Sequence, residues 1–238
     1  MNKKIIVIVP SAGLGKRFSA TIKKTFATLD GIPLLVHTLR AVCDEKAVNE
    51  VLPVLAEEDV ELGHRLVKEY SLSKIKKIAR GGKERQDSIY NALRLLDDDK
   101  TNSDAVVLIH DGVRPFIPEG LFEELITELD KGYGGVIPGL PVKETLKEVH
   151  ADSIVASTVN RDSLWAIQTP QAFTLNVLKK AYDAAYAEGF YATDDSALVE
   201  RVGGRVKIIM GSPYNIKITR LEDLGMIEFI LTKRSSLS

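Results

Sequence analysis

The sequence predicts an α/β protein with one mainly parallel central sheet. From Lys4 to Pro138, short apolar runs alternate with longer stretches of helical periodicity, which is the pattern of repeated strand–helix–strand units. Residues 5–9 and 105–109 are continuously apolar, as expected for parallel strands that helices cover on both faces. The 238 residues are 45% hydrophobic, which suffices for a full core, so we expect a single domain over residues 1–238.

The predicted strands and helices follow one another in pairs. Each strand would be joined to a parallel neighbour by a right-handed crossover that contains a helix. The predicted pairs, strand first, are Lys4–Val9 with Pro33–Cys43, Val48–Leu55 with Asp59–Tyr70, Ile75–Ala79 with Arg85–Leu96, and Val106–His110 with Glu119–Lys131, followed by a strand at Gly135–Pro138.

Residues 139–160 interrupt this alternation. Val142–Val149 and Ile154–Val159 alternate polar with apolar residues around a turn at Ala151-Asp152, which predicts a protruding β-hairpin. Two strands alone are marginally stable in water, so this arm needs a partner. The chain then returns to predicted helices at 174–188 and 194–201, a strand at 205–210 and a helix at 220–233, and Asp194-Asp195 is a predicted helix N-cap.

Composition narrows the classes of function. The net charge is −1, with 32 basic and 33 acidic residues, so we expect no nucleic-acid partner. The single cysteine, Cys43, excludes an intrachain disulfide and suits a reducing compartment. The apolar run after Lys3-Lys4 is too short for a signal peptide, and no run approaches the length of a membrane span. We therefore expect a cytoplasmic protein with no membrane partner.

A basic loop that contains glycines follows the first strand. Residues Pro10–Phe18 include Gly13 and Gly15, and glycine lets the backbone approach a phosphate closely. A Walker A loop would have Ser or Thr at position 17, where this chain has Arg17. A dinucleotide-binding loop would have a small residue at position 18, where this chain has Phe18. The sequence therefore predicts a nucleoside-triphosphate loop of a different kind.

Two further loops, which begin at Gly81 and Asp111, also follow predicted strands. The carboxyl ends of parallel strands lie at one edge of a sheet, and ligands bind there. Asp111 ends an apolar strand, where a carboxylate is costly unless it is paired or bound to a metal. We therefore expect the three loops to converge on one site.

Six motifs in one order extend this interpretation to nearly the whole chain. The motifs are Pro10–Phe18 with Lys24, Gly81–Ser88, His110–Pro115, Thr169–Gln171, Thr193–Asp195 and Asn215–Thr219. Together they resemble the 2-C-methyl-D-erythritol 4-phosphate cytidylyltransferase family, from about Lys4 to Thr232. That resemblance implies a Rossmann-like fold, a hairpin that acts as a homodimerisation arm, and the synthesis of CDP-methylerythritol and pyrophosphate from CTP and methylerythritol phosphate in isoprenoid precursor biosynthesis.

The resemblance also implies roles for individual residues. The CTP-binding residues would be Ser11, Ala12, Gly13, Gly15, Lys16, Gly82, Ser88, Asp111 and Gly112. The catalytic residues would be Arg17, Lys24 and Lys217, and Asp111 would lie beside Mg²⁺. The residues that bind the polyol phosphate would be Arg114, Thr145, Arg161, Thr169 and Thr193, with Thr145 and Arg161 reaching into the partner subunit's site.

The residues alone leave several alternatives open. Arg114 is equally suited to an internal salt bridge, and Thr145 and Arg161 to an ordinary hairpin surface. Ribitol-5-phosphate cytidylyltransferases share most of the motifs, and a nucleotide-sensing homologue without activity is the non-enzymatic alternative. A transferase that uses nucleotide sugars is disfavoured because no Asp-x-Asp motif ends a predicted strand.

The chain also departs from the resembled family at three places. Lys23-Lys24-Thr25 replaces the usual Pro-Lys-Gln, Lys83 replaces a frequent aspartate, and Asn160 replaces the common aspartate before Arg161. None of these changes removes a charge that the expected reaction needs.

Overall fold

The central sheet has eight strands in the computed structural model of the protein, which describes residues 3–13, 23–97, 102, 104–220, 222, 223 and 225. The predicted helix at 220–233 therefore lies mostly outside the described residues. The strands of this sheet are β1 (Ile5–Pro10), β4 (Glu50–Leu55), β5 (Ala79–Arg80), β6 (Val106–Ile109), β7 (Gly135–Pro141), β10 (Trp165–Ile167), β11 (Gln171–Thr174) and β12 (Val206–Met210).

The described chain also contains six α-helices and two small two-stranded sheets. One small sheet pairs β2 (Thr28–Leu29) with β3 (Ile32–Pro33), and the other pairs β8 (Lys147–Val149) with β9 (Val155–Thr158). No helix within the described ranges is both long and apolar enough to cross a membrane. The helices are α1 (Leu34–Asp44), α2 (Val60–Glu69), α3 (Arg85–Asp97), α4 (Leu121–Leu129), α5 (Leu175–Ala187) and α6 (Asp195–Arg201).

The prediction of a mainly parallel sheet is confirmed, with one insertion. Strands β5, β4, β1 and β6 lie side by side in parallel, and β7 pairs in parallel with β12. Between β6 and β7 lies β11, antiparallel to both, and β10 pairs antiparallel with the end of β7. We did not predict β10 or β11, because both are short and β11 runs directly into α5 without a turn signal.

Strand β1 shows why its sequence is continuously apolar. Ile5, Val7 and Val9 pack on one face of the sheet with residues of α1 and α4. The intervening Ile6 and Ile8 pack on the other face with residues of α3 and α5. All five side chains are buried, so both faces of this strand lie in the core.

The predicted β-hairpin is present but shorter than expected. Every residue of β8 and β9 is exposed, and these strands pair only with each other within the described chain. The predicted arm began at residue 139, but β7 continues to Pro141 because β10 returns to pair with residues 139–141. The base of the predicted arm therefore belongs to the main sheet.

The predicted N-cap of α6 is confirmed. The carboxylate of Asp194 accepts a hydrogen bond from the Ala197 amide at 3.1 Å. It also accepts hydrogen bonds from the Ser196 hydroxyl at 2.8 Å and the Gln171 amide at 2.9 Å. One side chain thus joins the start of α6 to β11.

Replacing Asp194 by alanine should therefore destabilise the protein. We expect Asp194→Ala to lower the free energy of unfolding by about 1–2 kcal/mol, the typical cost of a lost N-cap. Chemical denaturation followed by circular dichroism measures this difference. Asp194→Asn keeps an acceptor oxygen at the cap and should lose less; equal losses in the two variants would contradict the capping role.

Candidate active site

Three loops at the carboxyl ends of β1, β5 and β6 border a cavity of about 600 Å³. Residues of the β1 loop, the start of α3, the β6 loop and the segment after β12 therefore meet in one place. The lining residues are Pro10, Ser11, Ala12, Gly13, Lys24, Thr25, Ala56, Gly82, Lys83, Glu84, Arg85, Ser88, Asp111, Val113 and Lys217.

Close packing between these loops requires glycine at two points. A Cβ atom on Gly81 would lie 2.3 Å from the Cβ of Ala12, and one on Gly112 would lie 2.0 Å from the Oγ of Ser11. Such distances are far below a normal carbon contact, so a side chain at either position would push the loops apart. Ser11 is also fixed by its amide, which donates to the Val54 carbonyl at 2.8 Å.

Ser88 shapes the glycine loop from inside α3. Its hydroxyl accepts a hydrogen bond from the Gly82 amide at 3.0 Å and donates to the Glu84 carbonyl at 3.1 Å. The predicted role of Ser88 is a hydrogen bond to the base of the nucleotide. The Ser88 hydroxyl proton is already donated to the Glu84 carbonyl, and one of its two lone pairs accepts from the Gly82 amide. The other lone pair can accept a hydrogen bond from a ligand.

Asp111 is surrounded by cationic side chains. Its Oδ2 lies 3.0 Å from Lys217 Nζ and 3.2 Å from Arg114 Nε, and its Oδ1 lies 3.7 Å from Arg85 Nε. Burial alone would raise the pKa of this carboxyl, but the charges of Arg85, Lys217 and Arg114 hold it far below its usual range. Asp111 is therefore an anion at physiological pH.

Arg85 is a site residue to which we assigned no role from the sequence. Its Nη2 lies 2.7 Å from Oδ2 of the fully buried Asp195, whose Oδ1 accepts a 2.5 Å hydrogen bond from Tyr182. Burial works against the charge of Arg85, but Asp195 and Asp111 raise its pKa well above the ordinary value. Arg85 is thus a permanently charged residue in the lining of the cavity. The only signal in the sequence was an arginine three residues after paired glycines.

Arg114 lies behind the cavity rather than in it. Its Nη1 donates to the Asn215 carbonyl at 2.7 Å, and its own carbonyl accepts from His110 Nε2 at 2.9 Å. It lines a neighbouring cavity of about 420 Å³, which shares Lys217 with the first. The internal salt bridge of Arg114 that the sequence left open is present in the structure, and its role in binding the substrate stays a prediction.

A buried chain of hydrogen bonds orients the backbone at Asp111. Burial lowers the pKa of His110 to about 4, so its ring is neutral at physiological pH. Because Nε2 donates to a carbonyl, Nδ1 must be the acceptor for the Thr169 hydroxyl at 3.3 Å. The Thr169 oxygen in turn accepts from the Asp111 amide at 3.1 Å. Thr169, a predicted substrate contact, supports Asp111 from behind.

The predicted site residues fall into four groups, one of which is the pair that supports Asp111 from behind, Arg114 and Thr169. Ser11, Ala12, Gly13, Lys24, Gly82, Ser88, Asp111 and Lys217 line the cavity, with Gly112 packed against Ser11. Thr145, Arg161 and Thr193 are exposed and are not among its lining residues; Arg161 donates a hydrogen bond to the Lys143 carbonyl. Gly15, Lys16 and Arg17 lie outside the described residues.

The part of the chain that the structure describes contains no group of three or more His, Cys, Asp and Glu side chains able to hold a metal ion. Asp111 and Glu84 are the acidic residues in the lining of the cavity. A metal here would therefore depend on a ligand for most of its coordination.

Comparisons with known proteins agree in sequence and in structure. The family model for 2-C-methyl-D-erythritol 4-phosphate cytidylyltransferase (IspD) matches residues 5–233. The curated enzyme of that name from Syntrophus aciditrophicus is 39% identical over 234 residues, covering 98% of each chain. The one from Shouchella clausii is 42% identical over 229 residues, covering 96% of this chain and 97% of its own.

Solved structures give the same result. The crystal structure of 4-diphosphocytidyl-2C-methyl-D-erythritol synthase from Anaerococcus prevotii matches with a TM-score of 0.82, 32% identity and 97% coverage of both chains. The cytidylyltransferase from Thermus thermophilus matches with a TM-score of 0.75 and 28% identity, covering 98% of this chain and all of the other. The chain therefore belongs to the 2-C-methyl-D-erythritol 4-phosphate cytidylyltransferase family.

Proposed function

We propose that this enzyme transfers CMP from CTP to 2-C-methyl-D-erythritol 4-phosphate, giving CDP-methylerythritol and pyrophosphate for isoprenoid precursor synthesis. An oxygen of the sugar phosphate attacks the α-phosphorus of CTP, and the bond from that phosphorus to the bridging oxygen breaks. Pyrophosphate leaves with the bonding electrons. The observation that supports this most directly is the lysine and arginine cluster around Asp111 in a cavity at the sheet edge.

The charge of the cavity suits two anionic substrates. Its lining contains four cationic side chains and two acidic ones, although the whole chain has a net charge of −1. The cationic residues are Lys24, Lys83, Arg85 and Lys217. The attacking phosphate is already ionised, so the reaction needs positioning and charge neutralisation rather than a general base. The described lining accordingly offers cations and backbone amides but no histidine or cysteine.

We assign the two ends of CTP to two parts of the cavity. The backbone at residues 11–13 and 82 lines the cavity and would contact the cytosine edge, and we expect this contact to favour a pyrimidine over a purine. Lys24 and Lys217 also line the cavity and would hold the α-phosphate and the charge that develops on it. Arg17, Gly15 and Lys16 would complete the triphosphate site from the loop after β1.

Mg²⁺ fits this site when the nucleotide supplies most of its ligands. Asp111 is ionised, and its Oδ1 lies 3.7 Å from Arg85, beyond hydrogen-bonding distance. Magnesium is commonly held by one or two carboxylates together with substrate phosphates and water. When bound, the metal would neutralise phosphate charge. Asp111 would hold it, and Gly112 would place an amide beside the ribose.

The hairpin β8–β9 would complete the site across a homodimer. Val149, Ile154 and Val155 are each more than half exposed, although they are apolar and belong to a hairpin with no core of its own. A second subunit would bury them. Thr145 and Arg161 of the partner subunit would then bind the methylerythritol phosphate, with Arg161 matching phosphate by its two-pronged guanidinium. Arg114 and Thr169 would contribute by holding Asp111 in position. Thr193 would contact the methylerythritol phosphate.

We place this activity in the cytoplasm, because the one cysteine suits a reducing compartment. The family match favours methylerythritol phosphate over ribitol phosphate as the acceptor.

The reaction and the acceptor are tested together by pyrophosphate release. We expect release with CTP and methylerythritol phosphate, and much slower release with ribitol 5-phosphate or with ATP or GTP in place of CTP. A reaction without Mg²⁺ and in excess chelator is the negative control. Equal turnover of ribitol 5-phosphate would overturn the acceptor, and no release with any pair would favour the non-catalytic alternative.

Lys24 and Lys217 should contribute mainly to the transition state. We expect Lys24→Ala and Lys217→Ala each to lower kcat by roughly 100-fold, with a smaller change in KM for CTP, because their charge is most needed as the phosphorus gains a fifth ligand. Steady-state kinetics separate the two constants. Lys131→Ala, which removes an ion pair with Glu128 on α4, is the matched control. Wild-type kcat in either site variant would remove that lysine from the mechanism.

The shared site is tested by mixing two inactive variants. Arg161→Ala and Lys217→Ala should each be nearly inactive, because each damages both composite sites of its own dimer. In a mixed dimer both changes fall in one site and leave the other intact. Random exchange makes half of the dimers mixed, so recovery should approach about a quarter of wild-type activity.

Subunit exchange is verified separately, by pulling down an untagged variant with a tagged one. No recovery despite proven exchange would refute the shared site. A monomer in sedimentation would refute the role of the hairpin in assembly.

A further inference from the structure

Lys23 makes an ionic clamp beside the cavity. Its Nζ lies 2.7 Å from Oε1 of Glu58 and 2.7 Å from Oδ2 of Asp59. Both carboxylates belong to the short 3-10 turn Glu57–Asp59 that follows β4. Ala56, just before that turn, lines the cavity, and so does Lys24, just after Lys23. The clamp therefore ties together two walls of the cavity that are far apart in sequence.

The clamp is better defined than an isolated surface ion pair. Two carboxylates share one ammonium group, and the side chains of Lys23 and Asp59 are only 30% and 13% exposed. Burial works against the charge of Lys23, but the hydrogen bonds to Asp59 and Glu58 raise its pKa above the ordinary value. Exposed ion pairs contribute little to overall stability, so the effect we expect is on local geometry.

The segment that carries Lys24 is held firmly on its other side. Lys24–Phe26 forms a 3-10 turn in which the Phe26 amide donates to the Lys23 carbonyl at 2.9 Å. Thr25 is buried, and Phe26 packs against the core. On the N-terminal side of Lys24, the ion pairs of Lys23 with Glu58 and Asp59 attach the same segment to the turn after β4.

We propose that Lys23 is a positioning residue, which keeps the ammonium group of Lys24 in place in the cavity by binding Glu58 and Asp59. This inference rests on the proposed function, in which Lys24 binds the α-phosphate. Lys23 itself is not among the lining residues, so it acts through its neighbour rather than on the substrate.

The backbone at Lys23 provides a way to separate position from charge. Its φ is −62° and its ψ is 124°, which are values that proline adopts without strain. Lys23→Pro would remove both ion pairs but restrict the backbone to the same φ. Lys23→Ala would remove the ion pairs and leave the backbone free.

The test compares Lys23→Ala, Lys23→Pro and the double variant Glu58→Gln/Asp59→Asn by steady-state kinetics and thermal unfolding. We expect Lys23→Ala and the double variant to lower kcat/KM for CTP by roughly ten- to 100-fold, the scale of effect of a small misplacement of a catalytic group. Lys23→Pro should stay within about threefold of wild type, because the backbone is still restrained. The midpoint of unfolding should change by less than about 2 °C in all three.

Two controls keep the outcomes separate. Lys131→Ala removes a lysine ion pair of similar length, 2.6 Å, away from the cavity and should leave kcat/KM unchanged. Lys24→Ala reports on the proposed function: wild-type turnover in it would overturn the role of Lys24, and the positioning role of Lys23 with it.

Loss in Lys24→Ala combined with wild-type kcat/KM in Lys23→Ala would overturn the positioning role alone. A loss in Lys23→Pro equal to that in Lys23→Ala would overturn it as well, because the charge and not the position would then matter. If Lys23→Ala unfolds, the Glu58→Gln/Asp59→Asn variant decides, since it keeps the lysine and removes only its partners.

Discussion

The arrangement of the site depends on one buried carboxylate that must keep its charge. Asp111 is almost inaccessible to solvent, and an ion in such a place is stable only when opposite charges surround it. Arg114 comes from its own loop, Arg85 from the start of α3 and Lys217 from the segment after β12. Satisfying this single anion therefore requires three distant parts of the chain to meet at the edge of the sheet.

The same requirement brings the other features of the site together. Arg85 faces Asp111 with its Nε while Asp195 of α6, which accepts a hydrogen bond from Tyr182 of α5, binds its Nη2. The Arg114 side chain donates to the Asn215 carbonyl, the His110 ring donates to the Arg114 carbonyl, and the Thr169 hydroxyl oxygen accepts from the Asp111 amide. The cations left facing the cavity are then pre-oriented, which is the form in which charge is most effective against a developing negative centre.

The sequence predicted the features that depend on short-range patterns. The apolar run of β1, the loops at Gly81 and Gly112 and the N-cap at Asp194 each have a local signal, and the structure contains each of them. Strand β11 was missed because its four residues become a strand only through pairing with β6 and β7. The role of Arg85 was missed for a similar reason, since its partner Asp195 lies 110 residues away. Partners at such separation leave no trace in composition or periodicity.

The order in which the chain supplies these groups has a consequence for its synthesis. A polypeptide emerging from the ribosome presents Asp111 together with Arg85 and Arg114 before β7, β11 or β12 has been made. Asn215 and Lys217, which anchor Arg114 and neutralise Asp111, follow only after β12, and Asn215 lies 101 residues after Arg114. All eight strands of the central sheet are thus synthesised before the last cation of the electrostatic centre, and a product truncated after β12 would carry the nucleotide-facing loops without Lys217.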